Sequence, residues 1–123
     1  MAKALNILVV DDSRVILNRL FQQLNELEVV SKVAKANNFQ KALEVLAQEQ
    51  IDVALLDINL PGKNGIDLLG YITQHHPLIK AIMVTNQGSD YYRNICAEMG
   101  SFGFIDKTQE IEELPTLIYK AAS

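Results

Sequence analysis

Five short apolar runs, rich in β-branched residues, alternate with longer segments of helical period, and this alternation restricts the fold more than any other feature of the chain. The runs are Leu5–Val10, Val29–Lys35, Val53–Leu56, Ile79–Val84 and Phe102–Ile105. Between them, Leu17/Leu20/Phe21/Leu24, Phe39/Ala42/Leu43/Leu46 and Tyr92/Ile95/Cys96/Met99 each follow the i, i+3, i+4, i+7 spacing of one apolar helix face. Leu68/Leu69/Ile72 give a shorter version, and Leu114/Leu117/Ile118 mark a last helix, with Pro115 suited to its first turn, where a missing N–H costs nothing. Four runs are almost continuously apolar, as parallel strands covered on both faces must be, whereas the second carries Lys32 and Lys35 and suits an edge. Right-handed crossovers through five units give an α/β, (βα)5, doubly wound open parallel sheet, since a closed barrel of this kind needs about eight units.

The 123 residues suit one domain, 1–123, with no room for an effector domain. Hydrophobic residues make up 49% and no segment is repetitive, which excludes disordered, coiled-coil and solenoid architectures. The first apolar run meets Asp11 and Asp12 at once, too soon for a signal peptide, and no run reaches the roughly 18 residues of a membrane span. A single cysteine, Cys96, suits a reducing, cytoplasmic setting. A net charge of −4 without a Lys/Arg cluster argues against direct nucleic-acid binding.

Open α/β sheets bind ligands beyond the carboxyl ends of their strands. Here strand one runs into Asp11 and Asp12, strand three into Asp57, strand four into Thr85, and strand five through Asp106 to Lys107. Three carboxylates at one edge repel each other and cannot all stay ionised without a cation, so either their pKa values rise or a metal sits among them. Their all-oxygen donor set points to a hard ion, Mg2+, with Lys107 placed to offset charge on a bound phosphate. One of Asp11 and Asp12 is also expected to N-cap the helix opening near Ser13. Pro61-Gly62-Lys63-Asn64-Gly65 lacks nucleotide-loop spacing and reads as a turn, with Gly65 at a close approach or in a left-handed conformation. His75 and His76 precede Pro77 and read as a helix end, Cys96 as packed and inert, Tyr91 as exposed and Tyr92 as buried.

Over essentially its whole length the sequence resembles the receiver domain of two-component response regulators, including stand-alone chemotaxis-type regulators. The residues that carry the likeness are Val9-Val10-Asp11-Asp12-Ser13, Leu55-Leu56-Asp57-Ile58-Asn59-Leu60-Pro61-Gly62-Lys63-Asn64-Gly65, Met83-Val84-Thr85 and Phe104-Ile105-Asp106-Lys107. The resemblance implies a flavodoxin-like sheet of strand order 2-1-3-4-5. It implies Asp57 as phosphoacceptor from a sensor histidine kinase or phosphotransfer protein, and Mg2+ held by Asp12, Asp57, the Asn59 carbonyl and, through water, Asp11. Thr85 and Lys107 would bind the phosphoryl group, and Phe104 would switch a face of helix four, strand five and helix five, where Tyr91 is exposed for output. Asn59, Asn86 and Gln87 would set the lifetime of the acyl phosphate. Such a domain is a signalling module rather than an enzyme acting on an external substrate, and works as a monomer or a phosphorylation-dependent dimer.

Two positions depart from the pattern: Thr108 follows Lys107 where proline is usual, implying a trans peptide and a differently shaped loop, and Asn86 follows Thr85 where a small residue is usual. A phosphorylation-independent adaptor of the same fold is the competing reading. A flavin carrier is disfavoured by the acidic first loop, and a dehalogenase-type phosphatase by the lack of a second Asp two residues after Asp57.

Overall fold

The computed structural model describes residues 4–86 and 89–123. Its strands are β1 (Leu5–Val10), β2 (Val30–Ala36), β3 (Val53–Leu56), β4 (Lys80–Thr85) and β5 (Gly103–Asp106). The helices are α1 (Arg14–Asn25), α2 (Phe39–Gln48), α3 (Gly65–His75), α4 (Asp90–Glu98) and α5 (Leu114–Ala121), with a 3-10 turn at Ile111–Glu113 before α5. The sheet is parallel, in the order β2-β1-β3-β4-β5, so the lysine-bearing β2 is an edge as its sequence indicates. β2, β4 and β5 each lie one residue later than their apolar runs. The apolar pattern stops where polarity begins, but the hydrogen-bonded ladder continues through the pair Thr85 and Asp106.

Alternation along the strands feeds two cores. Ile7 and Val9 of β1, Leu55, Ile82 and Val84 face α1 and α5, packing on Leu17, Leu20, Leu24, Leu114 and Ile118. Leu8 and Val10, with Ala54, Leu56 and Met83, face the other way onto Ala42, Leu46, Leu68, Leu69, Ile72 and Cys96. Pro115 lies in the first turn of α5. α4 is the shallowest helix: Cys96 is its buried residue, and Tyr92 is half-buried rather than buried, because this nine-residue helix covers the sheet margin at edge strand β5. No helix among the described residues is long and apolar enough to cross a membrane.

Local chemistry sets the helix starts. Ser13, Asn38, Asn64 and Ser89 each accept a backbone N–H at an N-cap, and Asn64 forms a reciprocal capping box with Asp67. The α1 cap is therefore Ser13 rather than Asp11 or Asp12; the Asp11 side chain accepts the Ser13 N–H on Oδ1 at 2.9 Å and meets Lys107 with Oδ2. Of the two glycines at the turn into α3, Gly62 takes the left-handed conformation (φ 76°), while Gly65, the first residue of the helix, serves close approach. A Cβ on Gly65 would lie 1.9 Å from the Asp57 carbonyl oxygen. His75 closes α3 and His76 caps it, both rings lying against Tyr71.

Candidate functional site

The site is built by register. Val10 of β1 pairs with Leu56 of β3, so the residues that follow, Asp11 and Asp57, leave neighbouring strands at the same height, and the Asp57 N–H donates to Val10 O at 3.0 Å. Thr85 of β4 pairs with Asp106 of β5, and the Lys107 N–H donates to Thr85 O at 2.9 Å, which brings the strand-five lysine to the same edge.

At the centre lies the Asp57 carboxylate, buried and met by three donors. Its Oδ1 accepts the Thr85 hydroxyl at 2.8 Å and the Asn59 N–H at 3.2 Å, and its Oδ2 accepts Lys107 Nζ at 2.9 Å. Lys107 Nζ also contacts Asp11 Oδ2. Asp11 is buried and Asp12 exposed. Burial pushes the Asp11 carboxyl above its ordinary range, outweighing the contacts with Lys107 and the Ser13 N–H that favour its ionised form, while the Asp57 charge adds to the rise. Burial also works against the Lys107 ammonium, but its contacts with Asp11 and Asp57 prevail and hold it above the usual lysine range.

Carboxylate oxygens of Asp11, Asp12 and Asp57 lie within 4.8 Å of one another. One ammonium faces these three acids, which leaves net negative charge in a partly buried pocket. Such an all-oxygen donor set fits a hard divalent cation such as Mg2+.

The structure brings Asp11, Asp12, Asp57, Thr85 and Lys107 together, with Asn59 attached through its N–H. Asn86 is exposed beside them, and Gln87 lies outside the described residues. Phe104 and Tyr91 stand apart, on the α4 and β5 side. Tyr91 is exposed and stacks edge-on against Tyr92; Phe104 is half-buried, with the Arg93 guanidinium 4.7 Å from its ring centre. The Lys107–Thr108 peptide is trans, and the Asp106 carboxylate accepts both the Thr108 N–H, at 2.8 Å, and the Thr108 hydroxyl, at 2.7 Å.

Arg93 and Glu110 were not legible as site residues. Arg93 Nη2 donates to Glu110 Oε1 at 2.7 Å, and the same oxygen accepts the Asp106 N–H at 3.0 Å. The Arg93 contact holds the Glu110 carboxyl below its ordinary range, helped by the Asp106 N–H. No local pattern marks these residues, because they lie 17 positions apart and meet only through the β5 edge.

Comparison with known proteins places the chain in a family and a fold. The family model described as response regulator receiver domain matches residues 7–119. The response regulator protein PilR of Pseudomonas aeruginosa is 33% identical over 93% of this chain and 25% of PilR. The transcriptional regulatory protein CpxR of Escherichia coli is 37% identical over 88% of this chain and 45% of CpxR, so the chain spans less than half the length of these relatives. Among solved structures, the signal receiver domain of an HD domain-containing protein from Pseudomonas fluorescens superposes with a TM-score of 0.88 at 28% identity, covering 97% of this chain and 94% of that one. A CheY-like response regulator receiver domain protein from Methanospirillum hungatei gives 0.83 at 28% identity, covering 98% and 94%.

Proposed function

The chain belongs to the response regulator receiver domain family, and from that premise we propose that it is a phospho-accepting signalling receiver whose acceptor is Asp57. One observation carries the reading: Thr85, Lys107 and the Asn59 N–H converge on the two oxygens of a single buried carboxylate, with Asp11 and Asp12 beside it. An Asp57 oxygen attacks the phosphorus of a phosphohistidine on a sensor histidine kinase or phosphotransfer protein. The P–N bond breaks, the imidazole leaves with the bonding pair and takes up a proton, and an aspartyl phosphate remains.

Asp11, Asp12, Asp57 and the Asn59 carbonyl would hold Mg2+, which when bound supplies positive charge to the phosphoryl oxygens. Lys107, released from Asp57 once that carboxylate is esterified, pairs with a phosphoryl oxygen, and the Thr85 hydroxyl donates to another. Redirecting the Thr85 hydroxyl changes the packing open to Phe104, and a partner that prefers the changed α4 and β5 face favours phosphorylation in return. Asn59 and Asn86 at the rim govern water access and so the lifetime of the phosphoryl group. The output is a protein contact rather than direct binding of nucleic acid by this domain, in a cytoplasmic setting.

The test is intact-mass measurement after incubation with acetyl phosphate or phosphoramidate, with and without Mg2+. A Mg2+-dependent gain of one phosphoryl group, lost in Asp57→Asn, is expected. A folded protein that takes up neither phosphoryl nor beryllofluoride would instead be a phosphorylation-independent adaptor.

A further inference from the structure

Lys107 reaches the site from a loop that no proline restrains, since Thr108 follows it. Other groups must therefore hold the loop in shape, and two are visible. Asp106 closes a turn onto the Thr108 N–H and hydroxyl. Glu110 then takes the Asp106 N–H and the Arg93 guanidinium on one oxygen, while Arg93 Nη1 donates to Phe104 O at 3.3 Å and the guanidinium lies over the Phe104 ring. One arginine of α4 thus grips the strand residues on which Lys107 is mounted, from the backbone of Phe104 to the loop at Glu110. Arg93 and Glu110 are only partly exposed, at 35% and 29% of their side-chain surface, which limits competition from water.

We propose that the Arg93–Glu110 pair is a latch that positions Lys107, so that displacing Arg93 at the α4 and β5 face loosens the ammonium held against Asp57 and Asp11. Both are positioning residues acting through Lys107, and their effect on phosphoryl transfer rests on the receiver function proposed above.

Two readouts test the latch, on Arg93→Ala, Glu110→Gln and the double variant. The first is acylation of the lysine amines by an N-hydroxysuccinimide ester, followed by peptide mass spectrometry, with Lys41 as the remote reference. Loss of one partly exposed ion pair with its added contacts predicts that Lys107 acylation rises about fivefold in either single variant. Lys41 should be unchanged, and the double variant should rise by less than the two singles combined, because both break the Arg93–Glu110 ion pair. The second readout is the acetyl phosphate reaction: Arg93→Ala should slow it by a similar factor, leave Mg2+ affinity unchanged, and have no effect once Lys107→Ala is present.

Unchanged Lys107 acylation in both single variants overturns the latch, as does slowing by Arg93→Ala that persists without Lys107. A wild-type protein that accepts no phosphoryl group overturns the receiver function alone, because the acylation rates still decide whether Lys107 is held by Arg93 and Glu110.

Discussion

The ammonium of Lys107 lies 2.9 Å from Asp57 Oδ2 and also contacts Asp11 Oδ2, so one cation at the end of β5 serves carboxylates that leave the adjacent interior strands β1 and β3. The charge count is unequal: with Asp12 included, three acids face one base. The stability of the domain is thereby tied to the occupancy of its own site.

Removing the shared cation leaves two buried carboxylates unneutralised. Lys107→Ala is expected to lower stability by about 2 kcal/mol in Mg2+-free buffer, less than a fully dry pair would cost because the site is open to water on the Asp12 side. Saturating Mg2+ should restore most of the loss, as urea unfolding with and without the ion would show. The folded-state pKa of Lys107 is raised, so its contribution is fully present below the ordinary value of 10.5 and fades as pH rises through the folded value. The wild-type advantage over Lys107→Ala should therefore hold from neutral pH to about 10 and close above it.

Asp11 carries the opposite sign. Its folded-state pKa is raised, so the cost of ionising it in the fold is absent below the ordinary value of 3.8, grows as pH climbs from there, and levels off above the folded value. Asp11→Asn should make the Mg2+-free protein more stable at pH 7. That gain should vanish in acid, and stabilisation by Mg2+ should weaken sharply. Thermal melts across pH with chelator and with Mg2+ measure all three effects; a destabilised variant at pH 7 would contradict the argument.

Two glycines of α3 should respond in opposite ways to alanine. Gly65→Ala drives a Cβ into the backbone of the phosphoacceptor, 1.9 Å from Asp57 O and 2.7 Å from Asp57 C. Backbone must move, at about 3 kcal/mol, and beryllofluoride binding should fail with it. Gly70→Ala meets only the flexible end of Met99 at 3.4 Å, and a helical Gly-to-Ala change should leave stability equal or raised by up to about 1 kcal/mol. Denaturant midpoints of the two variants suffice for the comparison.

The Thr85 hydroxyl is buried and donates to Asp57 Oδ1. Thr85→Ala should cost about 1 kcal/mol of stability from the lost bond and about as much again from the lost methyl, with Thr85→Ser recovering only the share of the bond. If the same hydroxyl binds the phosphoryl group, beryllofluoride affinity should follow the same order, threonine and serine above alanine. Equal affinity in all three would remove Thr85 from the site.

Element order, the parallel sheet with β2 at an edge and the five polar positions at the strand ends were all legible in the amino-acid sequence. Those follow from periodicity and from hydrophobic alternation, which are local. The folded arrangement settled what no short window records. It put Ser13, not Asp11, at the α1 cap, and divided Asp11 between the Ser13 N–H and a lysine 96 residues away. It left Tyr92 half-buried, since helical spacing names a face but not how deeply the sheet margin covers it. It carried the ladder through Thr85 and Asp106, past the point where apolarity ends. It gave Gly65 its task through the Asp57 backbone, and it joined Arg93 of α4 to Glu110 of the loop after β5, a contact set by how α4 lies beside β5 rather than by sequence spacing.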